Sequence, residues 1–150
     1  MKRRRKAPRS RVLDVQEFLQ AEFRSDARGE IDPATGRPFF DCLGLAMAVH
    51  RKYGRDLPDV ACDAFDTEAK DRAARGLRPQ FARLERPDPP CIVAFCLDEK
   101  WPEAYSHFGT CIGGGLFVHI LPRERAKVQV ERLDSPLWRK VQGGFWLWSL

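Results

Sequence analysis

The sequence contains no long apolar run. None of its segments approaches the roughly 20 apolar residues that a membrane-spanning helix needs, so the chain has no predicted membrane span. Its basic first residues are followed neither by an apolar segment nor by the small-residue cleavage site of a secretory signal. We therefore expect a protein that is made in the cytoplasm without a signal peptide.

Paired Cys-x-x-Cys motifs are also absent. The chain has five cysteines and three histidines, and their spacing does not match that of structural zinc sites. An odd number of cysteines in a cytoplasmic protein indicates free thiols rather than disulfides. The sequence therefore predicts no metal site and no cofactor.

Acidic residues are missing from the first eleven positions, which hold seven basic side chains: Lys2, Arg3, Arg4, Arg5, Lys6, Arg9 and Arg11. The whole chain has a net charge of +5, so the remainder is mildly acidic. A like-charged terminus is typical of a solvated, disordered arm. We interpret residues 1–11 as such an arm and residues 12–150 as a single domain, and we do not expect nucleic acid to be its partner.

The first half of the chain has helical periodicity. Residues 11–24 and 42–53 each predict an amphipathic helix, the second with Asp41 as N-cap and Gly54 as a natural stop. The charged, Ala-rich stretch 60–75 predicts a surface helix ended by Gly76. Residues 25–40 have turn chemistry instead of a regular element.

The second half is typical of β-strands. Residues 78–90 predict an irregular segment or a short edge strand, and residues 135–141 a single helical turn. Short apolar or alternating runs predict strands over 91–97, 106–112, 116–120, 127–133 and 144–149. Helices followed by antiparallel strands predict an α+β domain.

Cys42 stands where a thiol is easily made reactive. The segment Asp41-Cys42-Leu43-Gly44-Leu45 opens the second predicted helix, and a helix N-terminus presents free backbone N–H groups and partial positive charge. Both stabilise a thiolate and lower the pKa of the thiol. We predict Cys42 to be a nucleophile, which needs a base and a group that orients the base.

Three histidines are candidates for that base. His50 lies about 12 Å from Cys42 along the axis of the same predicted helix. It cannot reach the thiol, and we interpret it as a solvated surface residue. The remaining candidates, His107 and His119, lie on the two arms of a predicted hairpin that turns at the glycine triplet 113–115.

The hairpin register decides whether His107 and His119 share a face. A three-residue glycine loop pairs Ile112 with Leu116, and alternate residues of a strand point to opposite faces. This register places both histidines on one face, at roughly 7–8 Å between α-carbons, and gathers aliphatic side chains on the other. We predict His107 as the base and His119 as its orienting group, and two ordinary strand histidines as the alternative.

Several short motifs follow one another in a recognisable order. They are Asp41-Cys42-Leu43-Gly44-Leu45, Tyr53-Gly54, Leu57-Pro58, Ser106-His107-Phe108-Gly109-Thr110-Cys111-Ile112-Gly113, Phe117-Val118-His119 and Trp138-Arg139-Lys140-Val141. In this order they resemble the NlpC-type papain-like cysteine peptidases, which cut cell-wall peptides. The resemblance covers roughly residues 11 to 148.

The resemblance implies a papain-like α+β fold, with N-terminal helices on an antiparallel sheet, and a Cys-His-His triad. Cys42 matches the family nucleophile, His107 the base and His119 the third polar residue. The implied activity is hydrolysis of an amide bond in a peptidoglycan stem peptide. The residues expected next to the substrate are Asp41, Leu43 and Ser106.

The details of the match are closest to phage tail-associated members of the family. Leu43 stands where cell-wall enzymes usually carry serine, and no tyrosine precedes Cys42. We therefore expect an enzyme associated with a virion tail and in contact with other tail proteins. The alternatives are a non-catalytic tail-tip assembly protein on the same fold, an amidase or acyltransferase with a substrate outside the cell wall, and a nucleic-acid-associated factor.

The nucleic-acid alternative can be tested through the basic arm. If residues 1–11 bind a polyanion, the dissociation constant should rise steeply with salt, and deletion of the arm should remove that dependence. Because we interpret the arm as solvated, we expect weak binding of a labelled oligonucleotide by both forms in fluorescence anisotropy. A steep salt dependence that disappears with the arm would contradict this interpretation.

Overall fold

The computed structural model describes residues 11–149. These residues form three α-helices and nine β-strands. In chain order the elements are β1 (Glu22–Phe23), β2 (Arg28–Ile31), β3 (Pro38–Phe40), α1 (Cys42–Lys52), α2 (Thr67–Leu77), β4 (Phe81–Leu84), β5 (Cys91–Phe95), β6 (His107–Gly113), β7 (Leu116–Ile120), β8 (Val128–Arg132), α3 (Pro136–Val141) and β9 (Gln142–Trp148). Two 3₁₀ turns, Gln16–Phe18 and Arg78–Gln80, precede β1 and β4.

A six-stranded antiparallel sheet is the framework of the domain. Its strand order is β4-β9-β5-β6-β7-β8. Strand β5 is completely buried, which explains why its residues form a continuous apolar run. Helices packed on an antiparallel sheet confirm the predicted α+β class.

Helix α1 begins and ends where the sequence predicts. The Asp41 carboxylate accepts a hydrogen bond from the backbone N–H of Gly44 at 2.7 Å, which caps the first turn. After the last turn, Gly54 adopts a left-handed conformation with φ +76°, which ends the helix. The buried side chains of α1, including Leu45 and Val49, pack against β6 and β7.

The predicted helix over residues 11–24 is wrong. The segment contains only the 3₁₀ turn Gln16–Phe18 and strand β1. Asp14 accepts a hydrogen bond from the backbone N–H two residues on, and Leu13 donates one to the backbone of Ile112 at 2.7 Å. A local side-chain hydrogen bond and a backbone hydrogen bond to β6 thus take the place of helical hydrogen bonds. Apolar side chains of the segment still join the core. Because several of them face the interior, they recur along the sequence at a spacing that resembles an amphipathic helix.

The expectation for residues 25–40 holds only for their centre. The backbone N–H of Gly36 donates to the carbonyl of Asp32 at 2.7 Å, which closes the predicted turn. On either side of it lie β2 and β3, which form a three-stranded sheet of order β1-β3-β2. The parallel pairing of β1 with β3 joins segments distant in sequence, so no local pattern reveals it.

Helix α2 is displaced from the predicted range 60–75. It starts after Asp66, whose carboxylate accepts a hydrogen bond from the backbone N–H of Ala69 at 3.0 Å. It continues through Gly76, the predicted stop, and ends before Pro79. Arg78 keeps helical backbone angles and opens the following 3₁₀ turn, but Pro79 has no backbone N–H to continue the α-helical hydrogen bonds, so Pro79 and not the glycine sets the end.

Away from its turn the β6–β7 hairpin has the predicted register, but the predicted pairing of Ile112 with Leu116 is wrong, because Leu116 lies opposite Gly113. Cys111 lies opposite Phe117, as predicted. The turn is formed by Gly114 and Gly115 at φ +64° and +74°, the left-handed conformations of a two-residue hairpin turn. A β-bulge next to the turn adds one residue to β6 and thereby keeps the predicted alignment.

The two faces of this hairpin carry different side chains. One face is aliphatic and is covered by α1; its buried residues are Ile112, Val118 and Ile120. The other face is covered by Trp138 of α3; it carries His107, Cys111, Phe117 and His119. Both histidines therefore share a face, as predicted, and that face is turned toward α3.

The basic arm lies outside the described residues except for Arg11, and the single-domain division stays a prediction. Between residues 11 and 149, no helix combines the length and apolar character needed to cross a bilayer. Within the same range, no group of three or more His, Cys, Asp and Glu side chains is arranged to hold a metal ion.

Two helical glycines test how closely α1 is packed. A Cβ added to Gly44 would lie 2.1 Å from the backbone oxygen of Ala27, whereas one added to Gly76 would meet no atom within 4 Å. We expect Gly44→Ala to lower the free energy of unfolding by about 1–3 kcal/mol and Gly76→Ala to raise it by up to about 1 kcal/mol. Urea unfolding measures both, and a Gly44→Ala protein as stable as the wild type would contradict the close approach of α1 to Ala27.

Candidate active site

Cys42 is the first residue of α1 and lines a cavity of about 120 Å³. Residues of both the six-stranded sheet and α2 line the cavity. Leu43, predicted to contact substrate, also lines it. The cavity is mainly apolar, with walls that include Leu57, Ala73, Ile92, Phe108 and Trp146.

The Cys42 thiol is protonated at neutral pH in the resting protein. Burial and the neighbouring Asp41 carboxylate raise the pKa of the Cys42 thiol to about 11. The Lys70 ammonium and the backbone N–H groups of Leu43 and Phe108 lower this pKa, but by less. The predicted lowering by the helix N-terminus is therefore outweighed, because burial disfavours the charged thiolate.

Asp41 holds the N-terminus of α1 in place. One carboxylate oxygen accepts hydrogen bonds from the backbone N–H of Gly44 at 2.7 Å and from the Arg28 guanidinium at 2.8 Å. The other accepts one from the backbone N–H of Asp26 at 3.1 Å. Asp41 also lines the cavity, but its oxygens are occupied by these partners, so its role is to position the helix.

His107 and His119 are in direct contact. Nε2 of His107 lies 2.8 Å from Nδ1 of His119, and Nε2 of His119 is hydrogen-bonded to the Glu131 carboxylate on β8. Both imidazoles are buried. Phe95 stacks on the ring of His107, and Trp138 contacts both rings. The aromatic cluster and the two hydrogen bonds together fix the orientation of the pair.

The hydrogen bonds also fix which nitrogen of each ring carries a proton. A carboxylate only accepts, so His119 donates its Nε2–H to Glu131 and its Nδ1 is an acceptor. His107 then donates its Nε2–H to that acceptor, and its own Nδ1 carries a lone pair. This Nδ1 is buried and has no hydrogen-bond partner among the described residues.

Both imidazoles are neutral at neutral pH. Burial, followed by the charges of His119 and Lys70, lowers the pKa of His107 well below its usual value. Burial also lowers the pKa of His119, although Glu131 acts in the opposite direction. The free Nδ1 of His107 is therefore an unprotonated nitrogen that can accept a proton.

Within the described residues, no hydrogen bond joins Cys42 to either histidine. Cys42 lies in the core cluster on the α1 side of the sheet, and the imidazoles lie on the α3 side. Strand β6 connects them, because Phe108, directly after His107, packs against the core cluster that contains Cys42 and lines the same cavity. The His107–His119 pair is thus formed, and its combination with Cys42 stays a prediction.

Ser106 and His50 have structural roles. Ser106, predicted to contact substrate, is not among the residues that line the cavity. Its hydroxyl accepts hydrogen bonds from the backbone N–H groups of Leu97 and Asp98 at 2.8 and 3.2 Å. His50, interpreted as solvated, is 1% exposed and hydrogen-bonds the carbonyl of Ala46, because it faces the sheet. Burial lowers the pKa of His50 to about 4.

Sequence reasoning missed two residues of this region, Glu131 and Lys70. Alternation within the predicted strand 127–133 could have found Glu131, once that strand was paired with the neighbouring strand that carries His119. Nothing distinguishes Lys70 in sequence from the other charged residues of α2. Only the packing of α2 over the cavity brings its ammonium near Cys42.

Comparison with known proteins identifies the fold. No family model and no curated protein matches the sequence. NlpC2 from Trichomonas vaginalis superposes with a TM-score of 0.60 at 18% identity, over 89% of this chain and 45% of that one. An NlpC/P60 family protein from Bacillus cereus superposes with a TM-score of 0.50 at 19% identity, over 83% and 37% of the two chains. An NLP/P60 family protein from Staphylococcus aureus, similar to a lipoprotein, superposes with a TM-score of 0.50 at 19% identity, over 95% of this chain and 45% of that one.

These similarities confirm the predicted NlpC-type, papain-like fold. The chain spans less than half the length of each of the three solved chains. Activity, substrate and partners therefore have to be argued from the residues of this chain.

The raised pKa of Cys42 is directly measurable. We expect the alkylation rate of Cys42 by iodoacetamide to keep rising until about pH 11. Asp41→Asn removes the adjacent negative charge and should lower the pKa of the thiol and speed its alkylation at mildly alkaline pH. Asp59→Asn is the matched control, since Asp59 also pairs with Arg28 but does not shift the pKa of the thiol. Mass spectrometry of the Cys42 peptide gives the rates, and full reactivity of the wild type at neutral pH would contradict this assignment.

Proposed function

We propose that the protein is a cysteine peptidase that hydrolyses an amide bond in peptidoglycan stem peptides. Cys42 is the nucleophile, His107 the base and His119 the residue that orients the base. One observation carries the proposal: the Glu131–His119–His107 hydrogen bonds leave a free Nδ1 on the first residue of β6, and the next residue, Phe108, packs against the core cluster that contains Cys42 and lines the same cavity.

Acylation of the enzyme is the first half of the reaction. The Cys42 sulfur attacks the amide carbonyl carbon while the thiol proton passes to Nδ1 of His107. The oxyanion that forms is stabilised by the backbone N–H of Cys42 at the helix N-terminus. His107 then gives the proton to the departing nitrogen as the C–N bond breaks, and the acyl group remains on Cys42 as a thioester.

Hydrolysis of the thioester completes the cycle. His107 accepts a proton from a water molecule while the water oxygen attacks the thioester carbonyl. The C–S bond breaks, the acid product leaves, and the sulfur recovers its proton from His107. The Glu131 carboxylate stabilises the positive charge that the histidine pair carries between these steps.

The resting state of the site determines how the reaction begins. Both Cys42 and His107 are uncharged at neutral pH, so proton transfer accompanies attack on the substrate instead of preceding it. The transfer requires Sγ of Cys42 to approach Nδ1 of His107. His107 does not line the cavity, and the resting structure holds Cys42 and the imidazoles on different faces of the sheet. Catalysis therefore requires a rearrangement that brings Sγ and Nδ1 together.

The same resting state favours a second function. A buried, protonated Cys42 without a hydrogen bond to an imidazole suits a non-catalytic protein on this fold, such as a phage tail-tip assembly protein. Leu43 after the cysteine agrees with it. Association with a phage tail stays a prediction under both functions, and an amidase or acyltransferase would use the same chemistry on another acyl group.

Digestion of purified peptidoglycan separates the two functions. We expect the wild type to release peptides, Cys42→Ala to release none, and His107→Gln to be slower by about 10²–10⁴-fold because the base is lost. Cys96→Ala is the matched control, since Cys96 is a free thiol outside the cavity, and it should behave as the wild type. Mass spectrometry identifies the released peptides. Equal release by the wild type and Cys42→Ala would exclude the peptidase function.

A further inference from the structure

Lys70 places a buried ammonium group in the wall of the cavity. The residue lies on α2, is 7% exposed and lines the cavity together with Cys42. Its Nζ donates to the backbone carbonyl of Ala64 at 2.6 Å, which uses one of its three N–H groups. Among residues 11–149 it forms no salt bridge.

The other charged groups of the cavity do not compensate Lys70. Asp41 is engaged by Arg28, which also pairs with Asp59. Arg78 is exposed and its guanidinium lies over the ring of Trp146. Outside the cavity, the charge of Lys70 acts on Asp98, but the Asp98 carboxylate binds Thr67 and the backbone of Lys100 instead. Burial of a charge without a direct ion pair is unfavourable. Lys70 is therefore a cation that an anionic group entering the cavity would satisfy.

The charge of Lys70 acts on both groups that are proposed to react, Cys42 and His107. Although burial has the largest effect on both groups, the positive charge of Lys70 lowers the pKa of the Cys42 thiol and that of the His107 imidazole. Because Lys70 and Cys42 line the same cavity, the ammonium is within reach of a substrate attacked at Cys42. The walls around it are apolar, as formed by Leu57, Ala73 and Ile92.

We propose that Lys70 is a substrate-binding residue that pairs with a carboxylate next to the amide attacked by Cys42. The apolar walls limit the neighbouring part of the substrate to a small aliphatic group. The inference rests on the proposed function and names the substrate group that the same site recognises. A substrate with the carboxylate converted to a carboxamide leaves the ammonium without an opposite charge and is disfavoured.

Two synthetic stem peptides test the role of Lys70. They are identical except that the carboxylate next to the scissile amide is free in one and a carboxamide in the other. We expect the wild type to prefer the free carboxylate by about 10–100-fold in kcat/KM. Lys70→Met should abolish the preference and Lys70→Arg should retain most of it. The preference is a ratio within each variant, so a smaller folded fraction does not change it.

Lys100→Met is the matched control for loss of a positive charge. Lys100 is exposed and does not line the cavity, so its replacement should leave the preference unchanged. If Lys100→Met reduces the preference as much as Lys70→Met does, the effect comes from the overall charge of the protein, and the role of Lys70 is overturned.

Binding to Cys42→Ala distinguishes failure of this inference from failure of the proposed function. Calorimetry should show tighter binding of the carboxylate peptide to Cys42→Ala, and equal binding of the two peptides once Lys70→Met is added. This result supports Lys70 even when the wild type cleaves neither peptide. Equal cleavage of both peptides by the wild type overturns the role of Lys70 alone, whereas no cleavage together with equal binding overturns both proposals.

Discussion

The hydrogen bonds of the Asp41 carboxylate are the constraint on which the site depends. They join the first turn of α1 to the Arg28 guanidinium and to the backbone of Asp26, and so fix where Cys42 lies against the sheet. The same carboxylate contributes to the raised pKa of the Cys42 thiol. The group that positions Cys42 therefore also disfavours its thiolate, and in the proposed mechanism activation depends on a base elsewhere in the fold.

The proposed base, His107, is held by the hairpin. The register of β6 and β7 brings His107 and His119 together, and Glu131 on β8 extends the hydrogen-bonded chain. Their aromatic surroundings keep both rings uncharged and leave one nitrogen of His107 free. Strand β6 thus carries the proposed base at its first residue, and its second residue packs against the cluster that contains Cys42, so its position governs both halves of the proposed chemistry.

The cavity next to Cys42 is proposed to select the substrate. In the proposed function, the apolar cavity offers a substrate few hydrogen bonds. Its buried ammonium therefore distinguishes substrates mainly by whether they carry a negative charge. Lys70 belongs to α2, and Cys42 belongs to α1. The proposed substrate-binding residue and the proposed nucleophile thus belong to different helices, so a change in α2 can alter the cavity without moving Cys42.

The sequence by itself determined the features that depend on local pattern: α1 with its Asp41 cap, the antiparallel strands, and the parity that puts His107 and His119 on one face. Only the tertiary structure decided the sheet formed by β1, β2 and β3, the contact of Glu131 with His119, the burial of Lys70 and the raised pKa of Cys42. Helix caps and strand alternation follow from neighbouring residues. Burial, desolvation and charge pairing depend on segments far apart in the chain, which meet only when it folds.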